Sequence, residues 1–70
     1  MRYPIAIPKR RDGLLLFYDP KVARSAHHRL HGWPDARIVV IQREDDPSRQ
    51  EGFAIEVARG RYLREGGWIE

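Results

Sequence analysis

The sequence predicts an α+β fold in which one helix packs on a mostly antiparallel sheet. Three observations favour this class: apolar residues alternate near both ends of the chain, a segment with helix start and stop signals lies between them, and the β-branched run RIVVIQR follows that segment. A chain of 70 residues has room for one small core. We therefore expect a single two-layer domain over residues 1–70 with the order β-β-α-β-β-β.

The first two predicted strands flank a basic turn. Tyr3, Ile5 and Ile7 alternate with Arg2, Pro4 and Ala6, the pattern of a half-buried strand. Prolines cannot donate to a ladder, so we expect an edge strand. The KRRDG segment of residues 9–13 carries an Asp-Gly turn signal, and the apolar run of residues 14–18 follows it. We expect this run to pair with the first strand, which leaves KRR on an exposed hairpin loop.

A single helix is predicted between Asp19-Pro20 and Gly32. Asp19 can cap free N–H groups, Pro20 suits the first helical position, and glycine is a common residue after a helix end. At about 100° per residue, Val22, Ala23, Ala26 and Leu30 fall on one side. The stripe on the other side consists of Lys21, Arg24, His28 and His31. We expect Val22, Ala26 and Leu30 to face Ile5, Leu15, Val39, Ile41, Phe53 and Ile55.

The second half of the chain is predicted to contain three strands. Residues 37–43 are typical of a central strand with apolar groups on both faces, and the acidic segment 44–51 of an exposed loop. Residues 52–58 alternate, with Phe53, Ile55 and Val57 expected inward and Ala54 and Glu56 outward. The tail, 59–70, has turn signals at Gly60 and Gly66-Gly67 and is expected to form a hairpin that returns Trp68 to the core. A helix over 54–65 is the alternative, with Gly60 in its middle.

Positive charge is concentrated in the first half of the chain. Eleven of the thirteen basic residues are arginine, whose planar fork of donors suits phosphate or carboxylate. Residues 1–34 carry seven basic and two acidic side chains, and residues 35–70 six and eight. Codon usage in a GC-rich genome is another explanation for the arginine excess. The candidate binding residues are Lys9, Arg10, Arg11, Lys21, Arg24, His28 and His31, which would form one patch if the loop folds toward the helix.

The residues needed for catalysis or metal binding do not occur at suitable spacing in the sequence. His27 and His31 are one helical turn apart but lack a third ligand at metal-site spacing. The chain has no cysteine, which excludes disulfides and thiolate sites. Its two serines lie outside any nucleophile motif, and the Asp45-Asp46 pair falls in the acidic loop. We therefore expect a protein that is not an enzyme and that uses no metal or cofactor.

The amino-terminal segment, MRYPIAIPKRR, bears on location. Its apolar stretch is three residues long and is bounded by Pro4 and Pro8, which is too short for a secretory signal or a membrane span. We expect a cytoplasmic protein without a membrane partner. Because so small a core gains from a second subunit, a homodimer is also considered.

Two resemblances bear on function. The helix DPKVARSAHHRLHG, the strands ARIVVIQRE and GFAIEVARG, and a final strand around GRYLREGGWIE resemble the layout of some small phage-encoded anti-CRISPR proteins. That resemblance implies a stoichiometric inhibitor that binds a CRISPR surveillance complex without catalysis or cofactor. The opening MRYPIAI is similar to the first strand of HicB-type antitoxins, whose following Pro-Asp-Leu-Pro-Gly-Cys stretch is missing here.

The sequence thus predicts a non-enzymatic binding protein that docks on a larger protein or ribonucleoprotein complex. The contact is expected through the basic hairpin loop and the cationic helix stripe. A domain that binds nucleic acid directly is the first alternative, and a HicB-like antitoxin fragment is the second.

Overall fold

One helix and four strands form the regular structure of residues 3–70, the part of the chain that the computed structural model describes. The elements are β1 (Ile5–Ala6), α1 (Pro20–His28), β2 (Arg37–Gln42), β3 (Gln50–Ala58) and β4 (Arg61–Tyr62). The strands lie in the order β1-β2-β3-β4, with β1 parallel to β2 and the other neighbours antiparallel. The predicted α+β class, one helix on a mostly antiparallel sheet, is confirmed.

The strand β1 lies at a sheet edge, as its flanking prolines predict. Its neighbour is β2: Ile5 pairs with Val40 in parallel register, and the Val40 N–H donates to the Pro4 carbonyl oxygen at 2.8 Å. Ile5, expected to face the helix, is 59% exposed. Arg2, which belongs to the predicted alternation, lies outside the described residues.

The apolar run of residues 14–18 does not pair with β1. Leu14 forms an antiparallel bridge with Arg64, and Phe17 forms one with Phe53 in β3. The predicted hairpin is therefore wrong. Residues 7–13 carry the chain across the sheet, away from β1. The strand β2, which follows the helix in the chain, therefore pairs with β1.

The helix α1 begins where its capping residues predict. An Asp19 carboxylate oxygen accepts from the Lys21 backbone N–H at 2.9 Å, and Pro20 occupies the first turn. The helix ends at His28 with Arg29 as its C-cap, before the predicted stop at Gly32. Further turns lead from there to β2.

The buried side of α1 differs from the prediction in one residue. Ala23 is fully buried, and Ala26 and Leu30 pack partly buried against the same cluster. Val22, expected to face the sheet, is 53% exposed. The prediction is wrong for Val22 because the buried arc centres on Ala23, Ala26 and Leu30, and at about 100° per residue Val22 falls at its margin.

Apolar side chains cover both faces of the sheet. The cluster on the helix side contains Ala23, Ile38, Phe53, Ile55, Val57 and Leu63, with Leu15 packed against it. The cluster on the opposite side contains Leu14, Val39, Ile41, Ala54 and Tyr62, with Leu16 packed against it. Val39 and Ile41, predicted to face the helix, lie on the opposite side because neighbouring strand residues alternate and Ile38 takes the helix side.

Two residues predicted to point outward from β3 are buried. Ala54 has no exposed surface, and Glu56 is 9% exposed. Both lie on the face away from the helix, which Leu14 and Leu16 cover. The helix α1 therefore covers one side of the sheet, and the run of residues 14–17 contributes alternate side chains to both sides.

The tail forms the predicted hairpin, with one difference. Gly60 has a φ of +75° in the turn between β3 and β4, and Leu63 bridges Ile69. Trp68, expected to return to the core, is 51% exposed. Residues opposite each other across a ladder share a face, so Ile69 takes the core position beside Leu63 and its neighbour Trp68 points away. The alternative of a helix over residues 54–65 is wrong.

Candidate functional site

Basic side chains occupy the solvent side of α1. Lys21, Arg24 and His28 are exposed, as is Arg29 at the helix end. His31 lies beyond the helix, and its ring centre is 5.7 Å from that of His28 in an edge-to-face arrangement. The predicted stripe is thus brought together. We call this surface the helix cation face and define it as Lys21, Arg24, His28, Arg29 and His31.

The helix cation face has no internal counter-charge. Within residues 3–70 no ion pair includes any of its side chains. Residues 20–34 contain three Lys or Arg and no Asp or Glu, and the remaining ten basic residues equal the ten acidic ones in number. The net charge of +3 is therefore carried by the helix and the turn after it. Such a surface attracts anionic groups.

Arg10 is paired within the molecule. Its Nη1 lies 2.7 Å from Glu70 Oε1, and its Nε lies 3.6 Å from Asp12 Oδ2. The sequence predicts Arg10 as a binding residue on an exposed loop. In the structure its guanidinium is engaged by Glu70, because residue 70 lies beside the basic loop.

Arg11 is held more firmly, at an irregularity of the sheet. Gln42 pairs with Gln50, and Ile41 pairs with Gly52, which leaves Glu51 as an extra residue in β3. Arg11 forms an ion pair with Glu51 and donates to the Gln42 carbonyl oxygen at 3.1 Å.

Arg11 also reaches the acidic loop, where its Nε lies 2.8 Å from Glu44 Oε1. Its side chain is 23% exposed. The role of Arg11 in this structure is to join the basic loop to β2, β3 and the loop between them.

The basic loop and the helix cation face lie on opposite sides of the sheet. The Arg64 Nη1 donates to the Arg10 carbonyl oxygen at 2.7 Å and to that of Asp12 at 3.2 Å. Leu63, the residue before Arg64, belongs to the helix-side cluster, so alternation directs Arg64 to the other face. The single patch expected from Lys9, Arg10, Arg11 and the helix stripe is therefore not formed.

Lys9 differs from the two arginines that follow it. It is exposed, and within the described residues no ion pair includes it. Of the three loop cations, Lys9 is the one whose charge is not already matched by a carboxylate.

A cation–π contact lies beside the end of the helix. The guanidinium carbon of Arg61 is 5.4 Å from the centre of the Trp33 ring, and Trp33 packs against the helix-side cluster. A guanidinium stacked on an indole keeps the donors at its edge available. No ion pair within residues 3–70 includes Arg61.

His27 has a structural contact. Its Nε2 lies 2.6 Å from the Ala36 carbonyl oxygen, which ties the helix to the start of β2. A carbonyl oxygen only accepts, so this geometry places a proton on Nε2. Over residues 3–70 the structure contains no group of three His, Asp or Glu side chains placed to share a metal ion.

The acidic loop uses its carboxylates locally. Arg43 donates from Nε and Nη2 to the two oxygens of Asp45 at 2.9 and 2.7 Å, and this contact holds the pKa of Asp45 below its usual range. Asp46 accepts from the Ser48 backbone N–H and hydroxyl. The Asp45-Asp46 pair therefore stabilises the loop turn.

A buried carboxylate and a buried phenol lie on the face away from the helix. The Arg37 Nε donates to Glu56 Oε1 at 2.8 Å. Burial raises the pKa of Tyr62, and the charge of Glu56 and a hydrogen bond with it raise the pKa further. Arg37 and Arg64 act in the opposite direction on the same pKa.

Sequence reasoning missed Arg61 and Arg64. Arg64 is 3% exposed although it stands in an arginine-rich tail. The period-2 pattern of residues 62–64 offers a signal, since it places Arg64 on the same face as Tyr62.

No protein-family model matches the chain, and neither a curated protein nor a solved structure matches it significantly. Within residues 3–70 there is no helix of the length and hydrophobicity needed to cross a membrane.

Proposed function

We propose that this protein is a non-enzymatic binding protein whose helix cation face docks on an acidic surface of a larger protein or nucleoprotein assembly. One observation carries the proposal. Within residues 3–70 the helix cation face forms no ion pair, whereas Arg10 and Arg11, expected to share the task, are bound to carboxylates of the same chain.

The helix cations can pair with a partner's carboxylates at a lower cost in free energy than the loop arginines can. Arg24 and Lys21 form no ion pair within residues 3–70 that an external carboxylate would have to replace. A charge pair desolvated at an interface costs several kcal/mol to break. Arg11 would first have to leave Glu51 and the Gln42 carbonyl oxygen. The helix is also a rigid support for these cations, because its fully buried residue Ala23 packs against the sheet.

A partner that is itself a large assembly suits the size of this surface. The nine-residue helix α1 presents a narrow strip of cations on a small protein. Complementary charge between such a strip and an acidic partner surface guides association and orientation. The CRISPR surveillance complex implied by the resemblance to anti-CRISPR proteins is one assembly of this type, and it stays a prediction.

Direct binding of nucleic acid is the second candidate, and Arg61 on Trp33 supports it. An arginine held flat beside a cationic helix can contact phosphate, and every phosphate that the surface neutralises makes binding depend on salt. Against this candidate, the three permanent charges of the face, Lys21, Arg24 and Arg29, are few for a dedicated binder.

Two assays test the proposal. Purified protein is mixed with random-sequence duplex DNA at low salt, and it is used in parallel to capture partners from host lysate, followed by mass spectrometry and reconstitution with the purified partner. We expect free DNA and a reconstituted complex that weakens with salt. A DNA shift lost at higher salt, without a reconstituted protein complex, would contradict the proposal in favour of direct nucleic-acid binding.

A further inference from the structure

A hollow of about 390 Å³ lies beneath the basic loop, on the face of the sheet away from α1. It is lined by Pro8, Lys9, Arg10, Tyr62, Arg64 and Glu70, together with Ile7 and Gly60. We call it the loop hollow. Three of its side chains are cationic and one is a carboxylate.

The carboxylate of the loop hollow is already used. Glu70 Oε1 lies 2.7 Å from Arg10 Nη1, and the same arginine also approaches Asp12. Lys9 and Arg64 are left without a carboxylate partner among the described residues. Among the side chains that line the hollow, cations therefore exceed carboxylates by two.

One of these two unpaired cations, Arg64, is buried: it is 3% exposed. A guanidinium stays charged at any pH at which a protein is folded, and a buried charge without a counter-ion is costly. Its hydrogen bonds go from Nη1 to two neutral carbonyl oxygens. Its Nε is buried and has no acceptor among the described residues. Buried polar groups almost always have a hydrogen-bond partner. A buried cation with an unpaired N–H donor therefore indicates that a ligand supplies the acceptor.

We propose that the loop hollow is an oxyanion-binding site in which Arg64 and Lys9 hold a phosphate or carboxylate group. An oxyanion supplies both things that Arg64 lacks, a negative charge and further acceptor oxygens, and guanidinium groups bind such groups by two parallel hydrogen bonds. Lys9, exposed at the rim, adds a second charge. Tyr62 forms part of the wall.

The site is separate from the helix cation face, so its test needs no partner protein. The arginine Nε–H gives its own signal in ¹H–¹⁵N NMR spectra, and Arg64 is followed in the full-length chain. The probes are inorganic phosphate and N-acetylglutamate, with sodium chloride at matched ionic strength as the salt control. Lys9→Gln tests the rim charge, and Arg49→Gln is the control, since it removes an exposed cation that lies outside both the loop hollow and the helix cation face.

We expect a saturable shift of the Arg64 Nε–H signal with at least one oxyanion and none with chloride. Lys9→Gln should weaken binding roughly tenfold, and Arg49→Gln should leave it unchanged. A response to phosphate alone assigns the site to a phosphate-bearing ligand, and a response to N-acetylglutamate alone assigns it to an acidic side chain. The proposal is wrong if neither probe gives a saturable shift, if chloride gives the same shift, or if Lys9→Gln binds as the unsubstituted chain does.

Discussion

Arg64 donates through Nη1 to the carbonyl oxygen of Arg10 at 2.7 Å, a contact that joins positions 54 residues apart. The contact holds the basic loop on the face of the sheet opposite α1. It therefore divides the cations of the chain into two groups with different tasks. Arg10 and Arg11 form internal ion pairs, whereas the helix cations form none within residues 3–70.

Loss of the Arg64 side chain should loosen the loop. In Arg64→Met the carbonyl oxygens of Arg10 and Asp12 lose their donor, and we expect a loss of about 1–3 kcal/mol in the free energy of unfolding. Denaturant unfolding measures the loss, and amide exchange at Leu14 should become faster. Arg59→Met, at an exposed turn position, should change stability by less than about 0.5 kcal/mol. Equal stability of the two variants would contradict the role given to Arg64.

The assignment of the buried helix side can be tested by two alanine variants. Leu30 packs partly buried against the helix-side cluster, so Leu30→Ala should cost about 2 kcal/mol. Val22 is 53% exposed, and Val22→Ala should cost less than about 0.5 kcal/mol. Thermal unfolding of both variants gives the comparison. A larger loss for Val22→Ala would mean that the helix is rotated from the orientation described.

Neutralising a loop arginine and a helix arginine should have unequal effects on stability. Arg11→Gln leaves Glu51 and the Gln42 carbonyl oxygen without their donor, and because the site is partly screened by water we expect a loss of about 1–2 kcal/mol. Arg24→Gln breaks no internal pair and should stay within about 0.5 kcal/mol. If chemical denaturation gives the opposite order, the division between structural and free cations is incorrect.

Alkaline titration tests the environment of Tyr62. Its pKa in the folded state is raised, chiefly by burial, above the value of about 10 that an unfolded chain shows. The folded state thus holds the phenol proton more tightly, and the associated stability is present below about pH 10 and is lost as the pH rises from there through the folded pKa. Tyr62→Phe should make this loss smaller.

The absorbance of tyrosinate, taken as the difference between the unsubstituted chain and Tyr62→Phe, reports the Tyr62 titration directly. Glu56→Gln should move that titration to lower pH, because it removes the negative charge that raises the pKa. Ionisation of Tyr62 at or below pH 10 in the folded protein would be evidence against a buried phenol.

Local signals predicted the helix and the strands β1, β2 and β3, whereas the run of residues 14–18 forms isolated bridges in place of the predicted strand. Asp19-Pro20 determines where α1 begins, and the β-branched run gives β2, because capping and alternation depend on residues close together in the chain. The partner of β1 was not predictable in this way. Pairing Ile5 with Val40 depends on how far the chain travels between them, and no residue of β1 encodes that distance.

The candidate site was predicted only in part, because some of its contacts join residues that are far apart in the chain. The helix stripe follows from a period of 3.6 residues, and the structure brings together Lys21, Arg24, His28 and His31. The pairing of Arg11 with Glu51 and the burial of Arg64 depend on tertiary contacts across 40 and 54 residues. Composition alone treats every arginine as equivalent, whereas the fold makes some of them structural.

The affinity of the reconstituted complex tests the central claim most directly. The helix variant, Lys21→Gln/Arg24→Gln, removes two cations that form no ion pair within residues 3–70. The loop variant, Arg43→Gln/Arg49→Gln, removes two cations that are paired with Asp45 and Asp46 in the acidic loop. Both variants lower the net charge equally, so a difference between them reports position. We predict that calorimetric titration shows at least a tenfold weaker complex for the helix variant and nearly unchanged affinity for the loop variant. Equal affinity of the helix variant and the unsubstituted chain, or a loss confined to the loop variant, would contradict the account.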